Sequence, residues 1–104
     1  MICSRNDVIL LPIPFTDLTS RKVRPAVVIG VSGIDLLLVP LTSQLGKTDF
    51  ALTHWRAAGL NVPCGVKTQL ATVEDRHVIK IVGKLHPEDV SKLNERLRSW
   101  IQLS

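Results

Sequence analysis

At 104 residues the chain has room for one small hydrophobic core, so a single domain over 1–104 is expected and a second is excluded. An apolar share of 45% spread along the chain excludes intrinsic disorder. Thirteen Lys and Arg against nine Asp and Glu leave a net charge of +4, which favours an anionic partner. Cys3 and Cys64 lie far apart and neither stands in a CxxC spacing, which argues against zinc knuckles and redox motifs and for free thiols. The apolar start Val8 to Ile13 is short and interrupted by Pro12, with Pro14 following, and no run approaches the roughly 20 residues that span a bilayer. A cytoplasmic protein without a membrane partner is expected.

In chain order, Val8 to Ile13, Ala26 to Val31 and Leu36 to Leu41 are short, rich in β-branched and aliphatic residues, and bounded by Pro, Gly, Ser, Thr or Asp. Each predicts a strand. Their near-continuous hydrophobicity predicts burial on both faces, as in a sheet that curls on itself or is covered by a second copy. Asp49 to Trp55 and Gly65 to Val73 are weaker strand segments, and Val78 to Val82 is a stronger one. Absence of βαβ alternation argues against a parallel sheet. The chain ends in a predicted helix: Pro87 suits the first helical position, Glu88 and Asp89 complement the dipole, and Val90, Leu93, Leu97 and Ile101 recur at helical spacing. Lys92, Glu95, Arg96 and Arg98 fall on the opposite, solvated face.

Two polar segments could carry chemistry. Between the first two strands, Phe15 to Arg24 is a polar loop ending in Arg21, Lys22 and Arg24. A solvated hairpin connection would have the same composition, but Arg24 adjoins the apolar strand and is therefore anchored by a rigid element. Its guanidinium presents a fixed fork suited to phosphate. After the third strand comes Thr42-Ser43-Gln44. If the second and third strands pair around Ser32-Gly33-Ile34, Arg24 and Thr42 meet at the open end of that hairpin, and a cation and a hydroxyl face one spot.

At these residues the sequence resembles the MazF/PemK toxins. Asn6-Asp7-Val8, Pro14-Phe15-Thr16-Asp17-Leu18, Arg24-Pro25-Ala26-Val27-Val28 and Pro40-Leu41-Thr42-Ser43 look like successive signatures of that family. Leu52-Thr53-His54-Trp55, Leu60-Asn61-Val62-Pro63-Cys64, the segment from Lys67 to Val73, and Gly83-Lys84-Leu85 look like the remainder, in the expected order. The resemblance implies one toxin domain over 1–104: an SH3-like barrel of bent antiparallel strands with a C-terminal α-helix, mainly β, forming a homodimer. It also implies a type II toxin, checked by an antitoxin protein, that cleaves single-stranded mRNA at short preferred sequences without a metal or other cofactor.

In such chemistry the ribose 2′-hydroxyl attacks the adjacent phosphate. By resemblance the catalytic Arg maps to Arg24 and the phosphate-holding hydroxyl to Thr42. The RNA-binding residues expected beside them are Thr19, Ser20, Arg21 and Lys22 of the first loop, Ser43 and Gln44 after the third strand, and Lys67 and Gln69. His54, His77 and Lys67 stand open as the general base. Two departures from the family count: the first loop here reads Leu18-Thr19-Ser20-Arg21-Lys22 rather than carrying Gly and Glu, and Lys67-Thr68-Gln69 lacks the acid some members have there. Asp17, the one acid of the loop, suits a turn with Thr16 and Thr19. Toxins of the same fold that poison DNA gyrase by protein contact, and an RNA-binding module that has lost catalysis, are the competing readings.

Overall fold

The computed structural model describes residues 2–12 and 22–102. Three long strands organise it: β1 (Asp7–Pro12), β2 (Val23–Ser32) and β3 (Asp35–Thr42), paired antiparallel in chain order. Gly33 and Ile34 make the β2–β3 turn, since Ser32 pairs with Asp35. Gly33 has φ +61°, which the first central position of a II′ hairpin turn requires. Four shorter strands follow: β4 (Phe50–Ala51), β5 (Gly65–Val66), β6 (Ala71–Glu74) and β7 (Lys80–Lys84), with helix α1 (Pro87–Ile101) last.

The weaker strand segments depart most from their sequence patterns. Of Asp49 to Trp55 only Phe50 and Ala51 pair, and residues 53–59 form turns. Gly65 to Val73 is two strands rather than one. Both pair with β3, but three steps along β3 from Leu41 to Leu38 are matched by five along the partner from Val66 to Ala71, so the partner must break. β7 begins two residues later than the Val78 to Val82 pattern, because Asp75–His77 is a 3₁₀ turn closed by Val78 N donating to Asp75 O at 3.1 Å.

Burial on both faces is observed, and alternation along the strands explains it. Val8, Val27, Val39 and Leu41 join Leu52, Ala58, Val66 and Leu93 in a core beneath α1. The intervening Ile9, Leu11, Ala26, Val28, Leu36 and Leu38 form a second core, closed by Cys3, Val73, Val78 and Ile81. β6 pairs with β3 and β7 with β1, and each adds a side chain to that second core, Val73 from β6 and Ile81 from β7. The resulting architecture is the expected SH3-like antiparallel barrel with a C-terminal helix.

Helix α1 lays Val90, Leu93, Leu97 and Trp100 on the first core. Ile101, assigned to that stripe by its spacing, is instead 51% exposed. Trp100 occupies the place, its indole Nε1 donating to Asp49 Oδ2 at 2.7 Å. Lys92, Glu95, Arg96 and Arg98 face solvent as expected. Gly59 and Gly83 lie back to back: a Cβ on Gly59 would strike the Val82 carbonyl and one on Gly83 the Ala58 carbonyl. Gly59 also has φ +88°. The turn at 53–59 can therefore seat against β7 only with glycine at both positions. Among the described residues, no helix is long and apolar enough to cross a membrane.

Candidate functional site

Arg24 lies near the start of β2, opposite Leu11 of β1. The β2–β3 pairing runs from Ser32↔Asp35 to Ala26↔Pro40, and the same register continued by two residues sets Arg24 across from Thr42. The two side chains line the same pair of clefts. In the first, of about 220 Å³, they are joined by Gln44, Lys47 and Lys67 over a floor of Pro40 and Leu41. Three cations thus converge, and no carboxylate stands among the described residues that line this cleft. Such a concavity concentrates positive potential and suits an anion.

Thr42 is held in a defined state. Its Oγ1 accepts the Gln44 amide at 3.1 Å, a local bond typical of a hydroxyl after a strand. An accepted bond leaves the hydroxyl proton to be donated elsewhere. Lys67 is positioned by its backbone, which donates to Pro40 O at 3.0 Å as the chain leaves β5.

The second cleft, of about 320 Å³, lies on the other side of Arg24 and Thr42. Leu10, Val23, Leu60, Val62 and Val82 make it largely apolar, with Ser43 and Asn61 as polar points. A flat group with a polar edge fits such walls. Cys64 also lines it, and burial pushes the thiol above its ordinary pKa, so the sulfur stays protonated at neutral pH. Cys3 is raised likewise, by burial first and then by the charge of Asp7. Both cysteines are free thiols.

The remaining site expectations divide. Thr19, Ser20 and Arg21, with Asp17, lie outside the described residues. Lys22 is exposed, and Gln69 is half-buried with its amide donating to Lys67 O at 2.8 Å; neither lines these clefts. Of the three open bases, Lys67 lines the first cleft, whereas His77 is exposed in the 3₁₀ turn and His54 packs on α1. Lys47 has no part in the sequence reading, and Asn61 enters it only within the family pattern Leu60 to Cys64, not as a site residue. Lys47 was legible only as the fifth residue beyond Thr42, and it reaches the cleft because Leu45–Lys47 forms a 3₁₀ turn.

A small curled antiparallel sheet, helix-capped and opening a cationic cleft at one hairpin end, defines a compact barrel with a site suited to an anion. A solved structure described as an endoribonuclease in complex with its cognate antitoxin, from mycobacterial species, shares this fold. The TM-score is 0.71 at 15% identity, over 96% of this chain and 93% of that one. A search of curated proteins found no significant match. The profile described as "PemK-like, MazF-like toxin of type II toxin-antitoxin system" matches residues 4–101. The chain belongs to this family.

Proposed function

We propose that this chain is, over residues 1–104, one toxin domain that acts as a metal-independent, sequence-selective endoribonuclease on single-stranded mRNA. The observation that carries the reading is the shared cleft of Arg24, Thr42, Lys47 and Lys67. As the ribose 2′-oxygen attacks, phosphorus becomes pentacoordinate and charge gathers on its non-bridging oxygens. Arg24 neutralises that charge with paired N–H donors, and Thr42 donates its hydroxyl proton to the same phosphate. The P–O5′ bond then breaks, leaving a 2′,3′-cyclic phosphate and a 5′-hydroxyl. Arg24 acts by charge rather than as the base, because a guanidinium hardly deprotonates in proteins. Lys67 and Lys47 add charge beside it as cations, and the proton leaving the 2′-hydroxyl passes to solvent water while another from water reaches the departing 5′-oxygen.

The second cleft, with apolar walls and the Asn61 amide, suits an unstacked base adjoining the scissile phosphate. Expected partners are mRNA, a second copy of this chain in a homodimer, and an antitoxin whose acidic segment occupies the RNA groove. The cytoplasm is the compartment where all three meet.

The reading is tested with purified protein, RNA and EDTA. Cleavage is expected to continue and to leave cyclic or 3′-phosphate and 5′-hydroxyl ends. A strict Mg²⁺ requirement or 5′-phosphate ends would contradict the 2′-hydroxyl mechanism, and intact RNA would favour a toxin acting by protein contact. Thr42→Ala is expected to slow cleavage by only roughly tenfold, the worth of one hydrogen bond, in the same assay. Salt tests the path of the RNA. Each lost phosphate contact lowers the slope of log affinity against log salt by about 0.7 for single strands, so Lys47→Ala with Lys67→Ala should lower it by about 1.4. An unchanged slope would put the RNA elsewhere.

A further inference from the structure

Where α1 begins, it meets the turn at 53–59 through side chains that the ribonuclease reading does not use. His86 caps the helix, its Nδ1 accepting the Glu88 amide at 3.1 Å, so its remaining ring nitrogen is Nε2. The ring stacks on His54, with centroids 3.6 Å apart and planes inclined by 22°. His54 Nε2 is sealed from solvent and has no hydrogen-bond partner. Yet Glu88 Oε2 stands 3.3 Å from it, near without the alignment a hydrogen bond needs. One ligand atom from each of His54, His86 and Glu88 lies within 4.8 Å of the other two.

A buried nitrogen left without a partner calls for an explanation. The 3.3 Å separation supplies one: two ligand atoms each about 2.1 Å from a tetrahedral ion stand about 3.4 Å apart. A third at 4.8 Å or less joins them if a ring swings by on the order of 1 Å. Two imidazoles and a carboxylate suit zinc and its neighbours, whereas calcium and magnesium prefer an all-oxygen shell. Glu88 is 65% exposed, so water can complete the coordination from the carboxylate side, while His54 Nε2 faces only its protein neighbours. Beneath them Asp89 accepts the amides of Thr53 and His54, both at 2.9 Å, and thereby fixes where His54 projects. The positive end of the helix dipole opposes a cation, and the carboxylates of Glu88 and Asp89 in the first turn offset it. Lys92, one turn on, is engaged with Thr53 Oγ1 at 2.8 Å.

We propose that His54, His86 and Glu88 bind a zinc-class divalent transition metal that ties the turn at 53–59 to the start of α1. Its role is structural. The same segment runs on into Gly59, Leu60, Asn61 and Val62, which line the second cleft, so the ion stiffens one wall of that cleft and takes no part in bond breaking.

The test uses full-length protein stripped with EDTA, desalted, and titrated with Co²⁺ as the probe. One Co²⁺ per chain should bind with a visible absorption band and be displaced by Zn²⁺. Zn²⁺ should raise Tm. His54→Ala, Glu88→Gln and His86→Asn should each weaken Co²⁺ binding by at least roughly tenfold. Asn keeps a capping acceptor at position 86, and Glu88→Gln is a mild change on an exposed side chain, so both variants should fold. No Co²⁺ band in the wild type, or binding undiminished in Glu88→Gln and His86→Asn, would overturn the proposal. Cleavage in EDTA is a separate readout, unaffected by either result.

Discussion

Arg24→Ala is expected to slow RNA cleavage by at least roughly 10²-fold, the scale of losing one preorganised charge partner of the transition state. Stability should hardly change, since Arg24 is exposed and surface substitutions of this kind usually fall within about 0.5 kcal/mol. Arg24→Lys should recover only part of the loss, because an ammonium keeps the charge but not the bidentate fork. The check is single-turnover cleavage beside a thermal melt. A folded Arg24→Ala protein that cuts at the wild-type rate would remove Arg24 from the chemistry.

Asp89→Ala is expected to destabilise the fold by about 3 kcal/mol, the largest stability effect of any polar change considered. Asp89 is fully buried, and its two oxygens satisfy the amides of Thr53 and His54. Alanine would leave both donors orphaned where the turn at 53–59 meets α1. For a domain of this size the loss corresponds to a fall in Tm of roughly 10–20 °C. Asp89→Asn should cost less, since one oxygen still accepts. A melt shifted by under about 1 kcal/mol would mean that water or relaxed backbone replaces these bonds.

Asp89 also marks how far the sequence could be read. Its place two residues after Pro87 predicts an acidic first turn and nothing more, whereas in the fold it is an interior bracket for a segment 35 residues away. Periodicity recovers β1, β2, β3 and α1 because each is long and amphipathic or apolar enough to declare itself. It fails for β4, β5 and β6, two to four residues apiece, whose extent is set by the register β3 imposes rather than by their own composition. Ile101 and Trp100 differ by one position, and Trp100, which packs on the core and donates to Asp49, is the one that turns inward.

The site shows the same division. Arg24 and Thr42 could be brought together from sequence because a short turn at Gly33 folds the hairpin's open ends onto each other, whereas the irregularity between Val28 and Gly30, which shifts the register by one and sets Thr42 rather than Ser43 across from Arg24, could not be read. Lys47 could not, since it reaches the cleft through a 3₁₀ turn, and Asn61 arrives on a loop whose seating depends on Gly59 and Gly83. His54 and His86 are 32 positions apart and meet only once α1 docks. Asn6 is a case where a motif acquires a physical meaning afterwards: its φ of +75° is a left-handed conformation that Asn tolerates better than most residues.

The most direct test of the proposed chemistry replaces one oxygen of the substrate. In an RNA whose cut position has been mapped, a single 2′-deoxynucleotide on the 5′ side of the scissile phosphate removes the nucleophile and leaves Arg24, Thr42 and the cleft untouched. Binding is expected to stay close to that of the all-ribose RNA, and cleavage at that phosphate to vanish. Cleavage of the deoxy-substituted RNA at the original rate would show that water or a protein side chain attacks instead, and would contradict the mechanism assigned to this cleft.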